Sequence, residues 1–199
     1  MGGNKWDSTR IHNQERFSRV VSKIARMPQM VIAAVHGAVS GGGFALALAA
    51  DMRVAAESAK MNAAFVQIGL SGAEMGSSYH LPRLCGLGNA MEILATGDAV
   101  DAASALRLGI VNKVVPDAEL RAASVELARR CLRASWLGLR QTKQQLRGAS
   151  DGVSLEHAIH NEDLGQVLCL NDKETQAYTA AKVARFLPSK DAKAKQAKL

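Results

Sequence analysis

The sequence predicts an α/β fold with a helical C-terminal part, on three observations. Short β-branched apolar runs alternate with helical patterns in the first half. A glycine cluster joins one such run to an alanine-rich helix. From about residue 117 onward only helical periodicity remains.

The elements follow in order. Over residues 8–26, Ile11, Phe17, Val20, Val21 and Ile24 fall near one helical face, and Pro28 ends that helix. "MVIAAVHG" predicts a buried strand, apolar throughout and β-branched at Val31, Ile32 and Val35. "GGGFALALAA" predicts a helix that starts among its glycines, and "MRVAAE" a second strand. "AKMNAAFVQIGLSGAEMG" reads as a short extended segment and then a glycine-rich loop. Helices are expected at 77–84, 88–95 and in "DAASALRLG", where Asp101 caps and Gly109 stops the helix. "IVNKVVP" is a short strand. A long amphipathic helix over 117–135 and further helices over 136–147, 154–170 and 173–186 complete the chain.

Bulk properties exclude several classes. With 199 residues, 48% hydrophobic and 22% charged, the chain can bury a core of its own. Aromatics make up only 4%, so few side chains could stack on single-stranded bases. The net charge of +7 is partly local: "SKDAKAKQAKL" alone holds four lysines. A solvated basic tail explains it, and attraction to a phosphorylated ligand is the functional alternative. No nucleic-acid motif accompanies the charge. Cys85, Cys131 and Cys169 are odd in number and show no CxxC spacing, which predicts a reducing, cytoplasmic setting without disulfides or zinc. The polar start is no signal peptide, and His36, Ser40 and the glycines interrupt the apolar run at 31–50, so no membrane span is expected.

The glycine cluster is the first candidate for chemistry. Backbone N–H groups at a helix N-terminus lack partners and carry the positive end of the dipole. Gly41 and Gly43 fit the start of a dinucleotide fingerprint, but Leu46 stands where its third glycine belongs, and no Gly-Lys-Ser/Thr follows. The functional reading that remains is an oxyanion hole; the plainer one is close helix–strand packing. Glu74, in "GLSGAEMGSSYHLPRL", is either a carboxylate favoured by the following helix N-terminus or an acid–base group. His157 and His160 share a helix face without a third metal ligand. His36 reads as a core or loop histidine, and Ser40, Ser77 and Ser78 lack a histidine–acid pair.

Three segments together resemble the crotonase fold of the enoyl-CoA hydratase/isomerase superfamily: "MPQMVIAAVHGAVSGGGFALALAADMRVAAESAKM", "GLSGAEMGSSYHLPRLCGLGNAMEILATGDAVDAASALRLGIVNKVVP" and "DKETQAYTAAKVARF". The likeness runs from Met27 to Phe186. It implies a spiral of ββα units over residues 1–135 and a helical region over 136–199 that serves trimerisation and CoA contact. It implies a homotrimer or dimer of trimers acting on an acyl-CoA thioester, with no cofactor besides that substrate. Gly42 is then an oxyanion donor, and Gly41, Gly43 and Phe65 line the substrate site. Lys182 falls where family members contact CoA phosphates.

The sequence departs from the family in two places. Hydratases of the family carry two glutamates, and their positions are Ala45 and Phe65 here. Glu74 matches a position where some family isomerases carry their acid–base residue, and the "SSYHLP" after it is similar to theirs. Isomerase-type proton transfer is therefore expected over two-glutamate hydration. Further, nothing in "MGGNKWDSTRIHNQERF" resembles the family's first strands and the loop that gives its second oxyanion N–H. The chain reads as lacking that N-terminal portion, and the alternative function is a non-catalytic or impaired acyl-CoA-binding homologue.

Overall fold

A computed structural model describes residues 8–184. The chain divides between Arg129 and Arg130 into two compact units.

The first unit is built on a repeated β-β-α step. Helix α1 (Ser8–Arg26) leads into β1 (Ile32–Val35), β2 (Ala38–Ser40) and α2 (Gly42–Ala49). Strands β3 (Met52–Ala56) and β4 (Lys60–Asn62), a 3-10 turn over Ala64–Ile68 and α3 (Ser77–Thr96) repeat the step. Each first strand enters one sheet, ordered β1-β3-β6 and parallel throughout, with β6 at Lys113–Val115. Each second strand enters another sheet, β2-β4-β5, with β5 at Val100–Asp101. The corner between β1 and β2 is Gly37, at φ +56°, whose carbonyl accepts the Lys60 N–H at 2.7 Å.

The central strand β3 is buried on both faces, and its side chains alternate between them. Ala55 faces a core with Val35, Phe44, Leu48, Met61, Leu81 and Ile110. Val54 and Ala56 face a second core with Val115 and Leu120, closed by Ala123 and Leu127 of α5 (Leu120–Cys131). Helix α4 (Ala102–Arg107) is capped as expected: Ser104 N–H donates to the Asp101 carboxylate at 2.7 Å, and Gly109 follows at φ +78°. The expected helices at 77–84 and 88–95 are the two arms of α3, which bends at Gly86 (φ +79°, ψ 160°).

Two expectations need correction, and one strand goes unassigned in the sequence. The run "MVIAAVHG" is less buried than an apolar strand implies, because β1 is an edge strand among the described residues and, of its four residues, Val35 alone is fully inside. The stretch "AVS" before the glycines is a strand of its own, β2, too short to show a period. The helix expected over 117–135 is a 3-10 turn (Asp117–Glu119) followed by α5. Asp117 is drawn away from the helix by Ser58, whose hydroxyl and N–H both donate to it and hold its carboxyl below the usual carboxylate range. At the other end, Ser135 caps the next helix, with Gly138 N–H donating to its hydroxyl at 3.1 Å.

The second unit packs α6 (Trp136–Ser150), α7 (Leu155–Asn171) and α8 (Lys173–Val183) against one another. Ser154 and Asp172 cap α7 and α8 through the N–H groups of His157 and Thr175. The expected end of the last helix at Phe186 and the lysine-rich tail lie outside the described residues. Among the described residues, no helix is long and apolar enough to cross a membrane.

Candidate active site

The N-terminus of α2 is shaped by what its glycines omit. Gly41 sits at φ +54°, a region where a Cβ is strained, and a Cβ there would also lie 2.9 Å from Cζ of Phe65. Its own N–H is held by the Asn62 carbonyl at 3.1 Å. Its carbonyl accepts the first helical bond, from Ala45 N–H at 3.0 Å. The N–H groups of Gly42, Gly43 and Phe44 precede that bond, so no helix carbonyl lies one turn back to receive them. Gly43 is exposed and Gly42 half-buried, while Phe44 is buried. No acidic residue stands in this first turn. The result is a positive, glycine-walled helix end suited to a polarised oxygen.

Phe65, in the 3-10 turn, lays its ring edge on Gly41, and Ala45 is 2% exposed inside the core. A carboxylate stands nearby on a different segment. The loop before α3 carries Glu74 and Met75, and the Met75 sulfur would lie 3.6 Å from a Cβ on Gly42. The residue next to Glu74 thus borders the proposed oxyanion donor. Met75 itself has φ +48°, an uncommon conformation for a side-chain-bearing residue and one that clusters near functional sites.

Glu74 is not in the first turn of α3. It precedes the capping Gly76, and Ser77 fixes its backbone. Glu74 N–H donates to the Ser77 hydroxyl at 3.0 Å, and Ser77 N–H donates to the Glu74 carbonyl at 2.9 Å. Its side chain Oε1 accepts a hydrogen bond from Nε2 of Gln14 on α1 at 2.6 Å. Its Oε2 is buried and has no hydrogen-bond partner among the described residues. Beside the loop lies an apolar cavity of about 350 Å³, lined by Val66, Leu70, Pro82, Leu87, Met91 and Leu94 among others.

The remaining candidates sit on other elements. His36 is exposed on the β1–β2 corner. Asp51 accepts the Val31 N–H at 2.8 Å and is a structural link. His157 and His160 lie on α7, and no group of three potential metal ligands occurs among the described residues. Lys182 belongs to the second unit, where its ammonium lies 5.3 Å from the Tyr178 ring centroid. That unit also holds a cavity of about 750 Å³, but Cys169 is the only ionisable side chain among the described residues of its wall, so it offers no acid–base pair. Sequence reasoning misses Gln14 and Met75. Gln14 lies 60 residues from Glu74, and no local pattern joins them.

The chain belongs to the enoyl-CoA hydratase/isomerase family, whose model matches residues 2–186. It has the crotonase fold of that family: its structure is similar to the crystal structure of a probable enoyl-CoA hydratase/isomerase from Mycobacterium abscessus, at TM-score 0.85 and 37% identity, covering 92% of this chain and 71% of that one. Among curated relatives it is 43% identical over 157 residues to "Probable enoyl-CoA hydratase EchA12" of Mycobacterium tuberculosis, covering 79% of this chain and 55% of the relative. It is 40% identical over 172 residues to the "Crotonyl-CoA hydratase" of Syntrophomonas wolfei, covering 85% of this chain and 66% of the relative. The chain thus spans little more than half the length of the mycobacterial relative it matches.

Proposed function

We propose that the chain binds an enoyl-CoA thioester and moves a proton along its acyl chain, an isomerase-type reaction. The thioester carbonyl sits at the N-terminus of α2, where Gly42 N–H meets the negative charge that develops on its oxygen. Stabilising that enolate acidifies the neighbouring carbon, and Glu74 takes a proton from one carbon and returns it to another. One carboxylate suffices because the same group acts as base and then as acid. The apolar cavity beside the Ser71–Ala73 segment suits the hydrocarbon part of such a substrate.

The observation that carries this reading is the approach of the Glu74 loop to Gly42 through Met75, with Ala45 and Phe65 at the two positions where hydratases hold glutamates. The names of the relatives favour hydration instead, and a hydratase using Glu74 alone would need a second group to orient water. A CoA-binding protein without turnover is the alternative, since neither Ala45 nor Phe65 can move a proton. Assembly into trimers through the helical unit, and a CoA phosphate contact at Lys182, belong to the same proposal.

The test is turnover of 3-enoyl-CoA and 2-enoyl-CoA side by side, for this chain and for Glu74→Gln. Isomerisation that falls by about 10²- to 10⁴-fold in Glu74→Gln is the expected result. Hydration that survives Glu74→Gln would overturn it, and tight thioester binding with no turnover would establish the non-catalytic alternative.

A further inference from the structure

Glu74 is held from a distant part of the chain. Val21 of α1 is buried, and its Cγ1 would lie 3.4 Å from a Cβ on Gly76, two residues after Glu74. Gln14 is seven residues earlier, two helical turns back on the same face. Val21 therefore anchors α1 on the loop, and Gln14 reaches the carboxylate, donating from Nε2 to Oε1 at 2.6 Å. The two oxygens of Glu74 are thereby made unequal. Oε1 is hydrogen-bonded, whereas Oε2 is buried without a partner among the described residues. A buried acceptor left open costs stability unless another role keeps it so.

We infer that Gln14 is a positioning residue for proton transfer: by holding Oε1 it fixes the plane of the Glu74 carboxylate and leaves Oε2 as the oxygen that carries the proton. The inference rests on the role proposed for Glu74. The chemistry of the amide suits the task in both halves of the cycle. When Glu74 is ionised, the Gln14 N–H donates to a charged oxygen. When Oε2 is protonated, Oε1 is still a carbonyl-like acceptor, and the same bond persists. Gln14 itself is never ionised, so it neither competes for the proton nor locks the carboxylate in its charged form as a lysine would.

The test compares the full chain with Gln14→Leu, Gln14→Glu and Glu74→Gln. In Gln14→Leu, kcat for 3-enoyl-CoA is expected to fall about 10- to 100-fold, the equivalent of one charge-assisted hydrogen bond, with KM and thermal midpoint little changed. Gln14→Glu sets a second acceptor against Oε1 and is expected to lose more. A Gln14→Leu variant as fast as the parent, beside an inactive Glu74→Gln, would overturn the inference and leave Glu74 in place. A Glu74→Gln variant as active as the parent would instead remove the role on which it rests. Independently of turnover, the Gln14 side-chain amide proton resonances are expected to move in Glu74→Ala. Resonances that stay in place would overturn the contact itself.

Discussion

The two ends of α2 are finished in opposite ways. At its N-terminus three N–H groups lie ahead of the first helical bond, behind a wall of glycines. At its C-terminus the carbonyls are closed off by a buried cation. Arg53, on the next strand and 4% exposed, donates from Nη1 to the carbonyls of Ala47 and Leu48 at 3.3 Å and of Ala50 at 2.8 Å, and from Nε to Ile110 O at 2.6 Å. The guanidinium supplies the positive charge that a helix C-terminus favours, and α2 has no basic residue of its own in its last turn. One helix therefore leaves its N-terminal donors outside the helical ladder, where the proposed site lies, and gives its other end to the core. A short, wholly apolar helix can present donors at a site only if something else anchors it, and here Arg53 does so.

Breaking the closed end should have the largest effect on stability. Arg53→Met removes a donor from four buried carbonyls, of which Ala47 keeps the Ala50 N–H. A loss of about 3 kcal/mol in unfolding free energy is expected, read from the urea midpoint at constant slope. A loss below about 1 kcal/mol would mean that water or the chain itself replaces the guanidinium, and the contrast between the two ends would collapse.

Breaking the open end is a smaller but more informative change. Gly41→Ala meets two obstacles, a backbone at φ +54° and the Phe65 ring at 2.9 Å. The backbone, at φ +54° and ψ −120°, lies outside the left-handed helical region and contributes about 1–3 kcal/mol, and the ring contact adds to it. Repeating the substitution in a Phe65→Ala background separates them: the penalty should shrink to the backbone part alone. An undiminished penalty would show that the ring yields freely and that Phe65 does not shape the glycine loop.

The two ends also differ in how far they can be read from the chain. The open end is written in consecutive residues: an apolar β-branched run, three glycines and a helix without charge. Such a local pattern is enough to mark a strand-to-helix site. The absence of a carboxylate at Ala45 is equally legible, because α2 is short and its burial follows from its composition. The closed end is not legible. Arg53 looks like the polar position of an ordinary strand, and its partners include Ile110, 57 residues away. The same limit hides Gln14, whose contact with Glu74 depends on how α1 lies across the Gly76 loop. Strand β2 escapes because three residues cannot show a period of two. Periodicity overestimates the 117–135 helix because the pull of Ser58 on Asp117 comes from a residue 59 positions away. Backbone chemistry is encoded locally; side-chain chemistry is encoded by packing.

Met75 offers the finest probe, since it ties the two halves of the proposed site together. Its φ of +48° costs stability in the folded chain, and glycine would remove that cost. Glycine also enlarges the unfolded ensemble, which offsets the gain. The packing of the half-buried side chain is lost as well, so Met75→Gly should lower the unfolding free energy by about 1 kcal/mol. The side chain, however, is what fills the space beside Gly42. Removing it admits water next to the N–H that would meet the thioester oxygen and weakens the electrostatic stabilisation there. A fall in kcat measured well below the thermal midpoint, where the variant is still folded, is thus the expected signature. A variant that is both stable and fully active would show that the loop needs its carboxylate but not its approach to α2, and Glu74 would then have to act at a distance from the glycine end.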